Sequence, residues 1–544
     1  MEFKYQIRWF RINDTDYRIV IVGAGIAGLT AAAYLSRAGY SVLLIEKNKE
    51  CGGLLNSFER EGFVFDSGAR SIENSGIVFP LLNDLGIELE LLNSPVSIGI
   101  EHDVINLISK DSLYDYKRLF EKLYPEDIED IDKIISFIEK ILKDMAILYG
   151  IDNPIFRDLK NDKAYLFKEL LPWMGKFLLA VRRMNRLNEP VEDFLKKMLS
   201  NQSLIDIIAQ HFFKNTPTFF ALGYFYVYQD YFYPKGGTGE FSKSIEQKII
   251  EWGGEIQSDT EITEIIPSEY KIYDINGVTY SYDYLIWCAD LKSLYRILKT
   301  HNLEEKISRK IAAHKEELFS NRGGDSIFAL FMGIDEPLEK FKSISNGHFF
   351  YTPSKKGLGE THRSILKSLI ANFENTPREE ILKWLDEYCQ LNTYEISIPA
   401  LRDPSLAPKG KTGLIVSMLF EYDLIKKVQE ASWYEEFKKE VENRILDTLA
   451  NSIYPGIKEK ILFRFSSTPI SILNKVGSSE GGITGWSFET PVPVVNNLLK
   501  VANSVKTPIP KVLQAGQWVY SPAGLPIAIL TGLLAAQQIM KIKK

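Results

Sequence analysis

Cysteine is scarce in this chain of 544 residues: Cys51, Cys288 and Cys389 are the only three. They stand far apart with no CxxC pair, which argues against a disulfide framework and a thiolate zinc site and predicts a reducing, cytoplasmic setting. The six histidines (His102, His211, His301, His314, His348 and His362) are scattered without HxxH or HExxH spacing, so no metal centre is expected. A GxSxG elbow for a serine nucleophile is missing too. Positive charge is not in excess: the net charge of −6 and pI near 5.8 argue against a nucleic-acid partner. No run reaches the roughly 18 uninterrupted apolar residues of a membrane span. The longest candidate, residues 523–536, contains Pro526 and two glycines. The first sixteen residues lack the apolar stretch of a signal peptide and read as an extra strand or arm. A protein that does not span the membrane is expected. With 45% hydrophobic residues, the chain is long enough for a large core and two domains.

What is present starts at Tyr17. Residues 17–22 are a β-rich apolar run, Gly23-Ala24-Gly25-Ile26-Ala27-Gly28 is a glycine turn, residues 29–37 read as a small-residue helix, and residues 41–45 as a second buried strand. That is a βαβ unit. Gly23 permits the tight turn, Gly25 lets backbone approach a pyrophosphate, and Gly28 lets the helix pack closely on the sheet. The uncapped amides of the helix start, with Ile26 and Ala27, face the phosphates. Glu46 closes the second strand, where an acid accepts from a ribose 2′-hydroxyl and repels a 2′-phosphate, so FAD or NAD fits and NADP does not.

The next elements separate FAD from NAD. Glu46-Lys47 is followed by Gly52-Gly53-Leu54, and Gly62 is followed by Phe63-Val64-Phe65-Asp66-Ser67-Gly68-Ala69-Arg70. With these elements the chain resembles the phytoene desaturase, carotenoid isomerase and retinol saturase family of FAD-dependent oxidoreductases. Leu54 stands where many relatives have Arg, and Ala69-Arg70 where Pro and a small residue are usual. Tyr233-Pro234-Lys235-Gly236-Gly237 is similar to the element that leads the family's chain back into its FAD domain. In relatives the residue at Ile262 sets its backbone against the adenine. The closing signature is similar to Gly516-Gln517 followed by Gly524-Leu525-Pro526, with Gln517 where Asp is frequent. Gln still hydrogen-bonds a ribityl hydroxyl but brings no charge.

The resemblance implies an α/β fold: a glutathione-reductase-like, Rossmann-type FAD-binding domain interleaved with an α+β substrate domain. The expected FAD-binding pieces are residues 17–94, 234–298 and 466–544, and the substrate pieces 95–233 and 299–465. It also implies one non-covalent FAD, with Arg70 and Tyr233 as candidate flavin-facing groups. For Arg70 a surface salt bridge is the plain alternative, since arginine is mostly exposed.

Two stretches invite a reading of their own. Residues 163–186 carry Lys163, Lys168, Lys176, Arg182, Arg183 and Arg186 against the single acid Glu169, interleaved with Leu170, Trp173, Phe177 and other apolar residues. A basic amphipathic helix of this kind suits an anionic membrane surface, with residues 170–186 docking at the mouth of an apolar tunnel, or it packs on its own domain with a solvated basic face. Residues 219–234 hold nine aromatics in sixteen, which supply rigid apolar walls or a plain core strand.

With no metal cluster and no nucleophile elbow, the chemistry falls to the cofactor. A second glycine fingerprint is missing, so the expected electron acceptor is a quinone, oxygen or another small acceptor rather than bound NAD(P)H. The expected activity is desaturation, saturation or isomerisation of a long apolar isoprenoid or carotenoid-like substrate. An amine-oxidase-like flavoenzyme on a polar substrate and a non-catalytic flavin-binding scaffold are the alternatives.

Overall fold

The computed structural model describes residues 18–359 and 361–542, so the N-terminal arm read from the sequence lies outside the described residues. At its centre is the strand Arg18–Val22 (β1), whose alternate side chains are buried on both faces: Ile19 and Ile21 in one core, Val20 and Val22 in another. A parallel strand covered on both faces needs such an apolar run. The helix Ile26–Arg37 (α1) crosses to the strand Ser41–Ile45 (β2), which pairs in parallel with β1. Tyr284–Trp287 pairs on the other side of β1, and Glu255–Gln257 and Val512–Gln514 complete a five-stranded parallel sheet at its edges.

One face of this sheet is covered by α1, which packs against Gly239–Glu251 and Leu525–Ile542. Contact between α1 and the last helix is close because the facing residues are small: a β-carbon on Gly532 would stand 2.4 Å from the Ala27 carbonyl oxygen. Leu525–Ile542 is apolar and long enough to cross a membrane, but most of its residues, including Ile529, Leu533, Ala535 and Ala536, are buried in this core. The other face carries a meander of Ile262–Ile266, Lys271–Asp274 and Thr279–Ser281. Asn276-Gly277 lies in the hairpin between the last two of these strands, and the turn is not type I′. Only Gly277 has positive φ (+78°), and the Asp274 carboxylate closes the turn by accepting from the Asn276 and Val278 amides.

A second sheet of seven strands has the order Ile461–Ser467, Ser326–Ile334, Thr412–Phe420, Tyr394–Ser397, His348–Thr352, Val96–Ile100 and Asp103–Leu107. All its pairs are antiparallel except His348–Thr352 with Val96–Ile100. Its back is sealed by Arg378–Leu391, Tyr422–Glu430 and Tyr434–Ala450 around Phe328, Leu330, Val416 and Ile396. Its front opens toward the first sheet.

The helices Ser112–Leu123 and Ile128–Tyr149 are separate because Pro125 lacks the amide and the room to continue the first. The aromatic run is not one strand: Thr218–Tyr228 is a helix and Tyr231–Pro234 a short strand between Ile72–Glu73 and Leu91–Asn93, and Phe220, Tyr224, Tyr228 and Tyr231 supply cavity wall as expected. An unbroken apolar run carries no period to tell the two apart.

Candidate functional site

A cavity of about 1180 Å³ extends from the glycine turn after β1 to the front of the seven-stranded sheet and the helix Thr218–Tyr228. A pocket for one small ligand occupies about 300–1,000 Å³, so this cavity has room for a large cofactor with a substrate beside it.

At the nucleotide end the three glycines have different reasons to be glycine. Gly23 has φ +99°, and its β-carbon would press on the Cys288 carbonyl at 3.0 Å. Gly28 is forced by packing. Gly25 meets nothing within 4 Å, and it starts α1 without any side-chain cap. The turn therefore presents open space beside uncapped helix-start amides, the arrangement that receives a pyrophosphate. Gly52 and Gly53 close in with φ +110° and +59°, and the Gly52 amide donates to the Ala24 carbonyl at 2.8 Å.

Glu46 is buried and fixed in place. Its Oε2 accepts from the Ala24 amide at 2.8 Å, and its Oε1 from the Asn48 amide and side chain at 3.0 and 2.8 Å. A carboxylate offers about four acceptor sites, so capacity is left for a ribose hydroxyl. The Lys47 ammonium donates to the Asn474 carbonyl at 3.3 Å, and burial lowers its pKa.

Of the residues expected to hold the cofactor, Gly23, Gly25, Ile26, Ala27, Glu46, Lys47, Gly52, Gly53, Leu54, Gly68, Ala69, Arg70, Ile262, Gly516, Gln517, Gly524 and Leu525 all line this one cavity. Gly28 and Pro526 sit just behind the wall. Tyr233 is corrected to a supporting place: it is fully buried, its hydroxyl donates to Asp66 Oδ2 at 2.8 Å, and Arg402 lies over its ring at 4.0 Å. Arg70 does not form a surface ion pair. It is 3% exposed and belongs to the cavity wall.

The sequence reading missed several wall residues. The helix Pro469–Val476 brings Asn474 and Lys475 against the Glu46-Lys47 end, and Asp290 joins from the loop after Tyr284–Trp287. Cys288 also lines the cavity, but burial pushes its thiol far above the ordinary range, so it is no thiolate nucleophile. His211 lines the far end, and burial holds its pKa down to about 4, which keeps it neutral.

Between the two sheets lies a buried ionic cluster. Asp66 accepts from Tyr233, from the Thr238 amide and hydroxyl (both 2.9 Å) and from Ser57 (2.9 Å). Arg70 donates to the Asp66 carbonyl and to Ser417 Oγ at 3.2 Å, while Arg402 donates to the Arg70 carbonyl at 2.6 Å. Glu395, which pairs in register with Ser417, meets His348 Nε2 at 3.0 Å. Burial lowers the pKa of His348 and keeps it neutral. Burial opposes the ionisation of Glu395, but the His348 hydrogen bond and the Arg70 and Arg402 charges outweigh it and hold its pKa down.

A glycine cradle, a buried acid at the end of β2 and a closing glycine turn in one cavity fit a flavin dinucleotide. The family model for flavin-containing amine oxidoreductases matches residues 26–540, and the chain belongs to that family. It is 22% identical over 557 residues to an inactive all-trans-retinol 13,14-reductase of Danio rerio, covering 96% of this chain and 85% of that protein. It is 23% identical over 551 residues to a 4,4′-diapophytoene desaturase of Staphylococcus aureus, covering 96% and 99%. Among solved structures, a wild-type putrescine oxidase bound to putrescine superposes with a TM-score of 0.59 at 14% identity, covering 97% of this chain and 99% of that one. The chain is an FAD-dependent oxidoreductase with the fold of that group.

Proposed function

We propose that this enzyme acts on carbon–carbon bonds of a long apolar isoprenoid, by desaturation, saturation or isomerisation. The observation that carries this reading is the wall beyond the nucleotide end, where Phe58, Phe331 and Phe465 meet on one side and Tyr224, Tyr228 and Phe350 on the other. Such walls bury an extended hydrocarbon and position it by shape. Relatives named for diapophytoene and retinol chemistry support the same reading. FAD, when bound, supplies hydride transfer at its N5. The protein's part is to hold the cofactor through the turn at Gly23 and Gly25, through Glu46 and through the Gly516-Gln517 turn, and to keep water from the apolar chamber. We assign Arg70 the role of favouring the reduced, anionic flavin from the wall. The division into FAD-binding residues 17–94, 234–298 and 466–544 and substrate residues 95–233 and 299–465 belongs to the same proposal, as does a quinone or oxygen as electron acceptor.

Membrane contact is part of the reading, because a water-insoluble substrate is taken from lipid. Its support is the segment around Leu171–Met184, where Phe167, Leu171, Met174 and Leu178 are exposed at helical spacing, with Lys168, Lys176, Arg182 and Arg186 exposed around them. A cytoplasmic, peripheral location goes with it. Anaerobic mixing of the holoenzyme with polyene or partly saturated isoprenoids tests the proposal. Bleaching or reoxidation of the flavin, with a product changed at a carbon–carbon bond, is expected. Reduction by amines and by no isoprenoid would overturn it.

A further inference from the structure

The front of the seven-stranded sheet is not uniformly apolar. Along Tyr394–Ser397 the side chains alternate, so that Tyr394 and Ile396 face the back core while Glu395 faces the cavity. Thr393 and Ser417 stand beside it in the same wall. About a third of the Glu395 side chain (31%) is accessible, and that part opens to the chamber. One of its oxygens is engaged: with Glu395 ionised, His348 Nε2 carries the proton and Nδ1 accepts from Ser71 at 2.9 Å. Its other oxygen has no partner among the described residues. Arg70 belongs to the same wall and donates to Ser417, the register partner of Glu395.

A carboxylate oxygen without a partner inside an aromatic chamber is costly unless a ligand uses it. Resting on the isoprenoid reading above, we propose that Glu395 anchors a hydroxyl at the end of an otherwise apolar substrate. A hydroxyl donates to the free carboxylate oxygen, which an unmodified hydrocarbon cannot do. Charge balance selects a neutral group. The cluster holds two guanidinium charges, Arg70 and Arg402, against two carboxylates, Asp66 and Glu395, with His348 and Tyr233 neutral. An ammonium would meet the two arginines and a substrate carboxylate would meet Glu395, so neither finds a net counter-charge.

Titrating the delipidated holoenzyme with geranylgeraniol, its deoxy hydrocarbon and its primary amine, and reading the perturbation of the flavin band, tests this. The alcohol should bind about tenfold or more tighter than the other two, as one charge-assisted hydrogen bond provides. Glu395→Leu should bring the alcohol down to the hydrocarbon's affinity and leave the hydrocarbon unchanged. Glu395→Gln, which keeps an acceptor, should retain part of the preference. Equal binding of alcohol and hydrocarbon by the wild type would overturn the anchor while leaving the isoprenoid reading intact. Tightest binding of the amine would overturn the anchor and make Glu395 a cation site. No response to any of the three would overturn the anchor and the isoprenoid reading together.

Discussion

The carbonyl oxygen of Gly23 stands 1.9 Å from the point a β-carbon on Gly28 would occupy. The two glycines touch each other, whereas Gly25 between them faces open space. Substituting them should therefore fail in different ways. Gly28→Val should cost roughly 3 kcal/mol of stability, because backbone rather than a flexible side chain must yield. Gly25→Val should fold with a melting temperature near that of wild-type apoprotein but purify without flavin colour. The absorbance ratio of flavin to protein, read beside the thermal midpoint, separates the two. A fully yellow Gly25→Val protein would remove the pyrophosphate from this turn.

Glu73 gives the fold a pH dependence. It lies behind Gly524 of the cavity wall, and burial, reinforced by Asp230, raises its carboxyl from 4.5 to about 7. A raised acid binds its proton more tightly in the folded state. Between about pH 4.5 and 7 the folded protein therefore holds a proton that the unfolded chain has lost, and stability falls as pH rises through that window. Glu73→Gln should remove this slope and stabilise the protein above pH 7 by roughly 2–3 kcal/mol. Denaturant midpoints at pH 5 and pH 8 for both proteins check it, and parallel pH curves would rule the effect out.

The basic helical segment should bind anionic vesicles more than neutral ones, and less at high salt, since each basic residue adds about 1 kcal/mol near such a surface. The geometry changes which side chains to test. Trp173 and Phe177, expected on the lipid side, stack on each other at 4.3 Å, and the Trp173 indole donates to the Ile147 carbonyl, so this pair ties the segment to Ile128–Tyr149. No residue of 163–186 lines the cavity, so the expected tunnel mouth is not at this helix. Phe167→Ser with Leu171→Ser and Leu178→Ser should reduce co-sedimentation at unchanged flavin content. Trp173→Ser should instead loosen the helix. Equal pelleting of wild type and the triple variant would leave the stripe without a role in docking.

The glycine turn and the acid after β2 were legible because their demands are local: a positive φ or a missing β-carbon can be satisfied by few residues. Glu395 was not, because Thr393, Glu395 and Ser397 alternating with Tyr394 and Ile396 is also the pattern of a strand with one solvated face. Only the tertiary arrangement makes that face a wall of the cavity. Trp173 was misread for the same reason. A wide apolar helix face does not disclose which part of it another helix covers.

The cradle for the cofactor is made from both ends of the sequence. β1 and α1 precede residue 40, while the strand Val512–Gln514 and the helix Leu525–Ile542 that complete the sheet and cover α1 come almost five hundred residues later. During synthesis the face of α1 that packs on Leu525–Ile542 therefore waits until that helix has left the ribosome. Contacts of such separation form slowly, and the exposed faces invite aggregation meanwhile. Flavin capture thus follows synthesis of residues 512–542, and a nascent or truncated product without them has no assembled place to hold it.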